Sequence, residues 1–201
     1  METTQPSLSP DERRTLLRLA RETAEEEWYR RALQPVASFR ERRSTASTTP
    51  KIDGRFGGVF VTFWAGKALR GCIGTLTSTD DLVQTVQQAT CSALADPRFE
   101  GDPITLAELP QLEIEISILS DATPTSNPLS LIPGVHGIVV RQGERSGCFL
   151  PKVAADRGWS AEEFLSNCCT MKAGLPPDAW RQGDTQVLLF TAEAFRESRL
   201  G

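Results

Sequence analysis

From Leu112 to Leu119 the chain reads LEIEISIL, and its alternation limits the possible folds more than any other stretch. Leu112, Ile114, Ile116 and Ile118 fall on one side of an extended strand, and Glu113, Glu115 and Ser117 on the other. Such a pattern marks a half-buried strand, so a sheet with one covered face is expected. Other segments offer partners. GVFVTF at 58–63 is a β run, and Trp64-Ala65-Gly66-Lys67 reads as a hairpin turn into a second strand. Residues 135–141 and 147–150 read as another hairpin, closed by Gln142-Gly143-Glu144-Arg145, and Gln186 to Thr191 as a last strand.

Helical signals lie between these runs. Ser9 and Glu12 form a capping box around Pro10, and Leu16, Leu17, Ala20, Ala24 and Trp28 follow at helical spacing, predicting a helix from 10 to 33. Leu82, Val86, Ala89 and Ala93 predict a second helix over 80–95, with Cys91 on its opposite side. Ser160 and Glu163 cap a third, which carries Phe164, Leu165, Cys168 and Met171 on its apolar side and ends at Gly174 before Pro176-Pro177. Residues 34–54, rich in Arg, Ser, Thr and Pro, read as a long loop. The sum is an α+β fold with mixed, largely antiparallel sheets and packed helices.

Charge and composition narrow the partners. The net charge of -4 argues against nucleic acid, and the basic run Arg40, Arg42 and Arg43 reads as a solvated loop. No stretch has the ~18 consecutive apolar residues of a membrane span. METTQPSLSPDERR lacks the order of a signal peptide, and five cysteines without framework spacing suit reduced thiols in the cytoplasm. With one histidine, His136, no Cys-x-x-Cys pair, and Cys168 and Cys169 diverging by about 100° on a helix, neither a metal site nor a cofactor is expected.

Thiol chemistry remains. Cys72 stands in Leu69-Arg70-Gly71-Cys72-Ile73-Gly74-Thr75, flanked by glycines and close to an arginine. A nearby cation lowers a thiol's pKa, and a bend at Gly71 and Gly74 would bring Arg70 round to the sulfur, so Cys72 is a candidate nucleophile, Arg70 its cation, and His136 a weaker candidate base. The bland readings stand beside these. An inert cysteine packs in a core with a raised pKa, and glycines in strands also mark close backbone approach. Glu113 and Glu115 are solvated by default, and Asp96-Pro97-Arg98-Phe99 ends a helix with Arg98 pairing locally.

LRGCIGTL at 69–76, DPRF at 96–99, LEIEISIL at 112–119, HGIVV at 136–140, RSGCFLP at 145–151, GWSAEEFL at 158–165 and KAGLPPDAW at 172–180 resemble the AMMECR family, also catalogued as protein A of the AmmeMemoRadiSam system. The resemblance implies a single unit over 8–199, built as two interlocked α+β subdomains with a cleft lined in part by RGCIG. It nominates Arg70, Gly71, Cys72, Ile73 and Gly74, with His136 nearby. Gly71, Ile73 and Gly74 would then bind a substrate or partner. Lys152 and Cys148 depart from the pattern expected of relatives. The resemblance implies no particular reaction: the residues themselves offer thiol-dependent chemistry at Cys72 on a small molecule or modified side chain, or a non-catalytic binding module, for which the resemblance implies Memo-type and radical SAM proteins as partners.

Overall fold

The computed structural model describes residues 8–32, 52 and 54–199. Most of the expected 34–54 loop, including Arg40, Arg42 and Arg43, lies outside the described residues. The fold is α+β, and the described chain divides into two compact units: residues 8–118 with 194–199, and residues 119–193.

The larger unit holds α1 (Pro10–Ala32), β1 (Gly58–Ala65), β2 (Ala68–Thr75), α2 (Leu82–Leu94) and β3 (Glu113–Leu119, apart from its last residue). Its strands run in the order β2-β1-β3, with β1 and β2 antiparallel and β2 on the outside. The alternation of β3 acts as expected: Ile114, Ile116 and Ile118 are buried and join a core with Val59, Val61 and Phe63 of β1. Leu16, Leu17 and Ala20 of α1 and Leu82 and Val86 of α2 cover that face. Both helices are capped by side chains. The Glu12 amide donates to Ser9 Oγ (3.3 Å) and the Ser9 amide to the Glu12 carboxylate (2.7 Å), while Asp81 accepts from the Gln84 amide (2.9 Å). Arg21 fastens α1 to the chain end, donating to the carbonyls of Leu109 and Leu112 (2.7 and 2.6 Å) and to Glu197 (2.6 Å), which in turn accepts the Ile114 amide (2.8 Å).

The smaller unit contains β4 (Thr123–Pro124), β5 (His136–Gln142), β6 (Arg145–Phe149), α3 (Pro151–Arg157), α4 (Ala161–Cys168) and most of β7 (Gln186–Arg196). Its strands are antiparallel in the order β4-β7-β5-β6. Ile138, Val140, Phe149, Phe164, Leu165 and Trp180 make its core. Here the structure departs from the sequence reading at three places. The apolar side of the third helix does not continue to Met171, which is 58% exposed. A π-turn over Cys169–Ala173 adds a residue to the helical period, so Cys169 and Ala173 turn inward before Gly174 closes the segment at φ +64. α3 was not foreseen, although Pro151 in its first turn and Gly158 at φ +65 bracket it. β7 continues five residues past Thr191, to Arg196, and buries Phe195.

Candidate functional site

The RGCIG segment is the second half of β2, and its register explains each residue. Phe63 pairs with Gly71 and Trp64 with Leu69, which leaves Arg70 as the extra residue of a β-bulge. A bulge re-aims the side chain it carries. Arg70 accordingly reaches Glu108 (Nε to Oε1, 2.5 Å) and Asp102 (Nη1 to Oδ2, 2.7 Å), and its guanidinium lies 5.9 Å from the centre of the Phe99 ring. With Leu94, Pro97, Phe99, Pro103 and Ile104 it lines a surface hollow of about 370 Å³.

The two glycines serve close packing. A Cβ on Gly71 would stand 2.2 Å from the carbonyl oxygen of Ala93, where the end of α2 presses on β2. One on Gly74 would stand 2.1 Å from the Val59 carbonyl oxygen and 2.4 Å from the Phe60 ring. Nothing larger than hydrogen fits at either position. Ile73 pairs with Val61 and packs against the core of this unit.

Cys72 is half-buried opposite Thr62, whose hydroxyl donates to its sulfur (3.2 Å). Its backbone faces the free edge of the sheet, where Asp96 and Arg98 take the place of a neighbouring strand. The Cys72 amide donates to Asp96 Oδ2 (2.9 Å), and Arg98 Nη2 donates to the Cys72 carbonyl (2.9 Å). Asp96 also accepts from the Arg98 amide (3.1 Å) and Nε (2.9 Å). This acid–base pair satisfies an edge that would otherwise invite another strand. Proline at 97 and the 3₁₀ turn Pro97–Phe99 hold the two side chains two residues apart.

The electrostatics follow from that arrangement. Burial pushes the Cys72 thiol above its ordinary pKa; the Thr62 hydroxyl and the Arg98 charge pull it down, while Asp96 and Glu115 push it up again. The thiol is therefore the resting form at neutral pH. Burial also pushes Asp96 up, but hydrogen bonds from Arg98 and from the Cys72 amide outweigh it, leaving the carboxyl below its ordinary value. The cation beside the sulfur is Arg98, not Arg70, which the bulge directs to two carboxylates. The local pairing of Arg98 is as the sequence predicts, with Asp96, but the contacts of both side chains to the Cys72 backbone were missed from sequence. The signal available was the acid–Pro–base spacing directly after a helix.

His136 belongs to the smaller unit, at the start of β5. Its Nδ1 accepts from the Ile132 amide (2.9 Å), and its own amide donates to the Ile132 carbonyl (2.9 Å). Among the described residues, no three His, Cys, Asp or Glu side chains gather as metal ligands, and no helix is long and apolar enough to cross a membrane.

The sequence profile of the AMMECR1 family matches residues 17–195. Protein PH0010 of Pyrococcus horikoshii is 39% identical over 193 residues, covering 90% of this chain and 88% of that protein. A protein of Methanothermobacter thermautotrophicus is 38% identical over 197 residues, covering 94% and 96%. The crystal structure of PH0010, described as an uncharacterized protein, superposes with a TM-score of 0.77 at 36% identity, covering 90% of this chain and 89% of that one. The chain belongs to the AMMECR1 family.

Proposed function

We propose that this AMMECR1-family chain is a binding module, in which RGCIG and DPRF form one rigid edge and present the hollow beside it to a partner. The observation that supports this reading is the state of Cys72. Its amide and carbonyl are fastened by Asp96 and Arg98, its thiol is protonated by burial, and its flanking glycines answer to packing. A nucleophile needs the thiolate and a group to take its proton, and the surroundings of this sulfur oppose the charge. The partners implied by the family resemblance, Memo-type and radical SAM proteins, are the first to try. Arg98, half-exposed, and Asp102, 81% exposed, each next in sequence to a residue that lines the hollow, supply opposite charges that such a partner would read. In this reading Cys72→Ser retains partner binding in a titration, whereas Arg98→Glu weakens it at least tenfold. The opposite ranking sinks the proposal.

A second reading keeps Cys72 as a reacting thiol in the cleft that the family resemblance implies, acting on a small molecule or modified side chain. It is favoured by two contacts that stabilise a thiolate, the Thr62 hydroxyl and the Arg98 guanidinium. Alkylation of the native protein with iodoacetamide separates the two. A Cys72 that reacts at neutral pH faster than a free cysteine supports thiol chemistry, and one that reacts only after unfolding removes it.

A further inference from the structure

The hollow beside Arg70 has apolar walls and a polar rim. Leu94 and Ile104 are buried, Phe99 is half-buried, and Pro97 and Pro103 stiffen the turns that carry them. Ile104 is fixed further by its carbonyl, which accepts from Trp28 Nε1 (3.0 Å). The guanidinium groups of Arg70 and Arg98 lie 5.9 and 5.8 Å from the centre of the Phe99 ring. At about 370 Å³ the hollow stands at the small end of ligand pockets, which span ~300–1,000 Å³, and walls so fastened need little ordering on binding.

The charges around it select what can enter. Arg70 is matched by Glu108 and Asp102, and Arg98 by Asp96. Arg30 and Arg31 share Glu27. Glu100, exposed on the lining, has no partner among the described residues and leaves the group one negative charge in excess. An anion is thus disfavoured, and a cation would meet the guanidinium groups of Arg31 and Arg70 on the walls. A neutral, largely apolar group suits. The rim still offers a donor and an acceptor. Arg31 spends Nε on Glu27 and Nη2 on the Cys91 carbonyl (3.1 Å), which leaves its Nη1 hydrogens uncommitted among the described residues, and Glu100 can accept. Phenylalanine would leave both unused, and tryptophan only donates. A tyrosine hydroxyl, neutral at pH 7, donates and accepts, and tyrosine is a common anchor in interface pockets.

We propose, resting on the binding-module reading, that this hollow receives a tyrosine side chain of the partner protein. Its ring lies against Leu94, Phe99 and Ile104, and its hydroxyl turns to Arg31 and Glu100. The step is recognition only; no bond is made or broken. A second copy of this chain is the rival source, since Tyr29, the one tyrosine of the sequence, is 51% exposed. A two-fold contact that set Tyr29 of one copy beside Arg31 of the other would crowd Arg30 and Arg31 of both copies together, which favours a different protein.

The test titrates the full-length, ¹⁵N-labelled chain with N-acetyl-tyrosinamide, with N-acetyl-phenylalaninamide and with the O-phosphate of the first. Saturable amide shifts centred on Leu94, Phe99 and Ile104 are expected, with the tyrosine probe at least threefold tighter than the phenylalanine probe and the phosphate weakest. Glu100→Ala, an exposed substitution, should bring the tyrosine probe down to the level of the phenylalanine probe. Ala95→Trp, at an exposed position on the wall, should fill the hollow and abolish binding of both. The absence of saturable shifts at these residues, a phenylalanine or phosphate probe as tight as the tyrosine probe, or unaltered binding in Ala95→Trp would each overturn the proposal. So would a concentration-dependent dimer that Tyr29→Ala abolishes, because the occupant is then a second copy. If Ala95→Trp fails to fold, the three probes on the wild type and on Glu100→Ala decide by the same criteria. Titration with a Memo-type protein separates this site from the module itself, as Ala95→Trp and Arg98→Glu are each expected to weaken binding at least tenfold. Loss in Arg98→Glu alone overturns the tyrosine site and leaves the module standing, whereas loss in Ala95→Trp alone supports the tyrosine site and counts against the charged edge.

Discussion

Replacing Asp96 with alanine tests whether the acid–base pair holds the edge of β2. The side chain is 1% exposed and accepts four N–H groups, from the Cys72 amide, the Arg98 amide, Arg98 Nε and Arg98 Nη2. Only the first of these donors is fixed in the sheet. A hydrogen bond to a charged acceptor contributes about 1.5–3 kcal/mol, and the loss here leaves an edge amide with poor access to water. The capping contact to the Arg98 amide adds about 0.5–1 kcal/mol, within the range of helix caps. The guanidinium, 49% exposed, returns to solvent, so its ion pair adds little, as exposed pairs do. Asp96→Ala is therefore expected to cost about 2–4 kcal/mol in urea denaturation followed by circular dichroism, and Arg98→Ala about 1 kcal/mol. With the clamp gone, Cys72 should also react faster with iodoacetamide. A cost below about 0.5 kcal/mol for Asp96→Ala, or a larger cost for Arg98→Ala, would falsify this account of the edge.

The same pair predicts a pH dependence. The folded pKa of Asp96 is depressed, so its contribution is complete above the unfolded value, about 3.9, and is lost as pH falls through the lower folded value. The stability gap between wild type and Asp96→Asn should thus be constant above about pH 5 and close below about pH 4. A gap that widens in acid contradicts the sign of the shift.

Two further outcomes follow from packing and charge. Gly74→Ala places a Cβ 2.1 Å from the Val59 carbonyl, and since backbone cannot yield as a side chain does, a cost of about 3 kcal/mol or more is expected in the thermal or urea midpoint; a change under about 1 kcal/mol would show that β1 and β2 separate easily. Cys168, with no exposed surface, has its thiol pKa pushed far up, chiefly by burial, so the folded state keeps a proton that the unfolded state releases above about pH 8.5. Stability should fall as pH rises beyond that point, and less steeply in Cys168→Ala, as measured by denaturation at pH 7 and at pH 10; equal slopes would assign the alkaline loss elsewhere.

How much was legible in the sequence depended on whether the controlling contact was local. The capping boxes at Ser9 and Ser160 and the alternation over 112–119 are decided within a few residues, and they appear in the structure where their patterns set them. Met171 failed because a helical wheel presumes 3.6 residues per turn, and one π-turn shifts every later residue on it. The surroundings of Cys72 were read differently. RGCIG lies on a strand as its pattern predicts, but sequence distance made Arg70 the natural companion of Cys72. A bulge, fixed by the pairing of β2 with β1, turns Arg70 toward Glu108 and Asp102. Arg98, 26 residues further on, is brought to the Cys72 carbonyl by the turn that follows α2. That turn approaches β2 so closely because position 71 has no side chain to keep the Ala93 carbonyl away. The glycine that first suggested a bend or a close backbone approach is thus the residue that lets DPRF close over the Cys72 backbone. A larger residue there would push the end of α2 outward, and the Asp96–Arg98 pair with it, leaving the edge of β2 open.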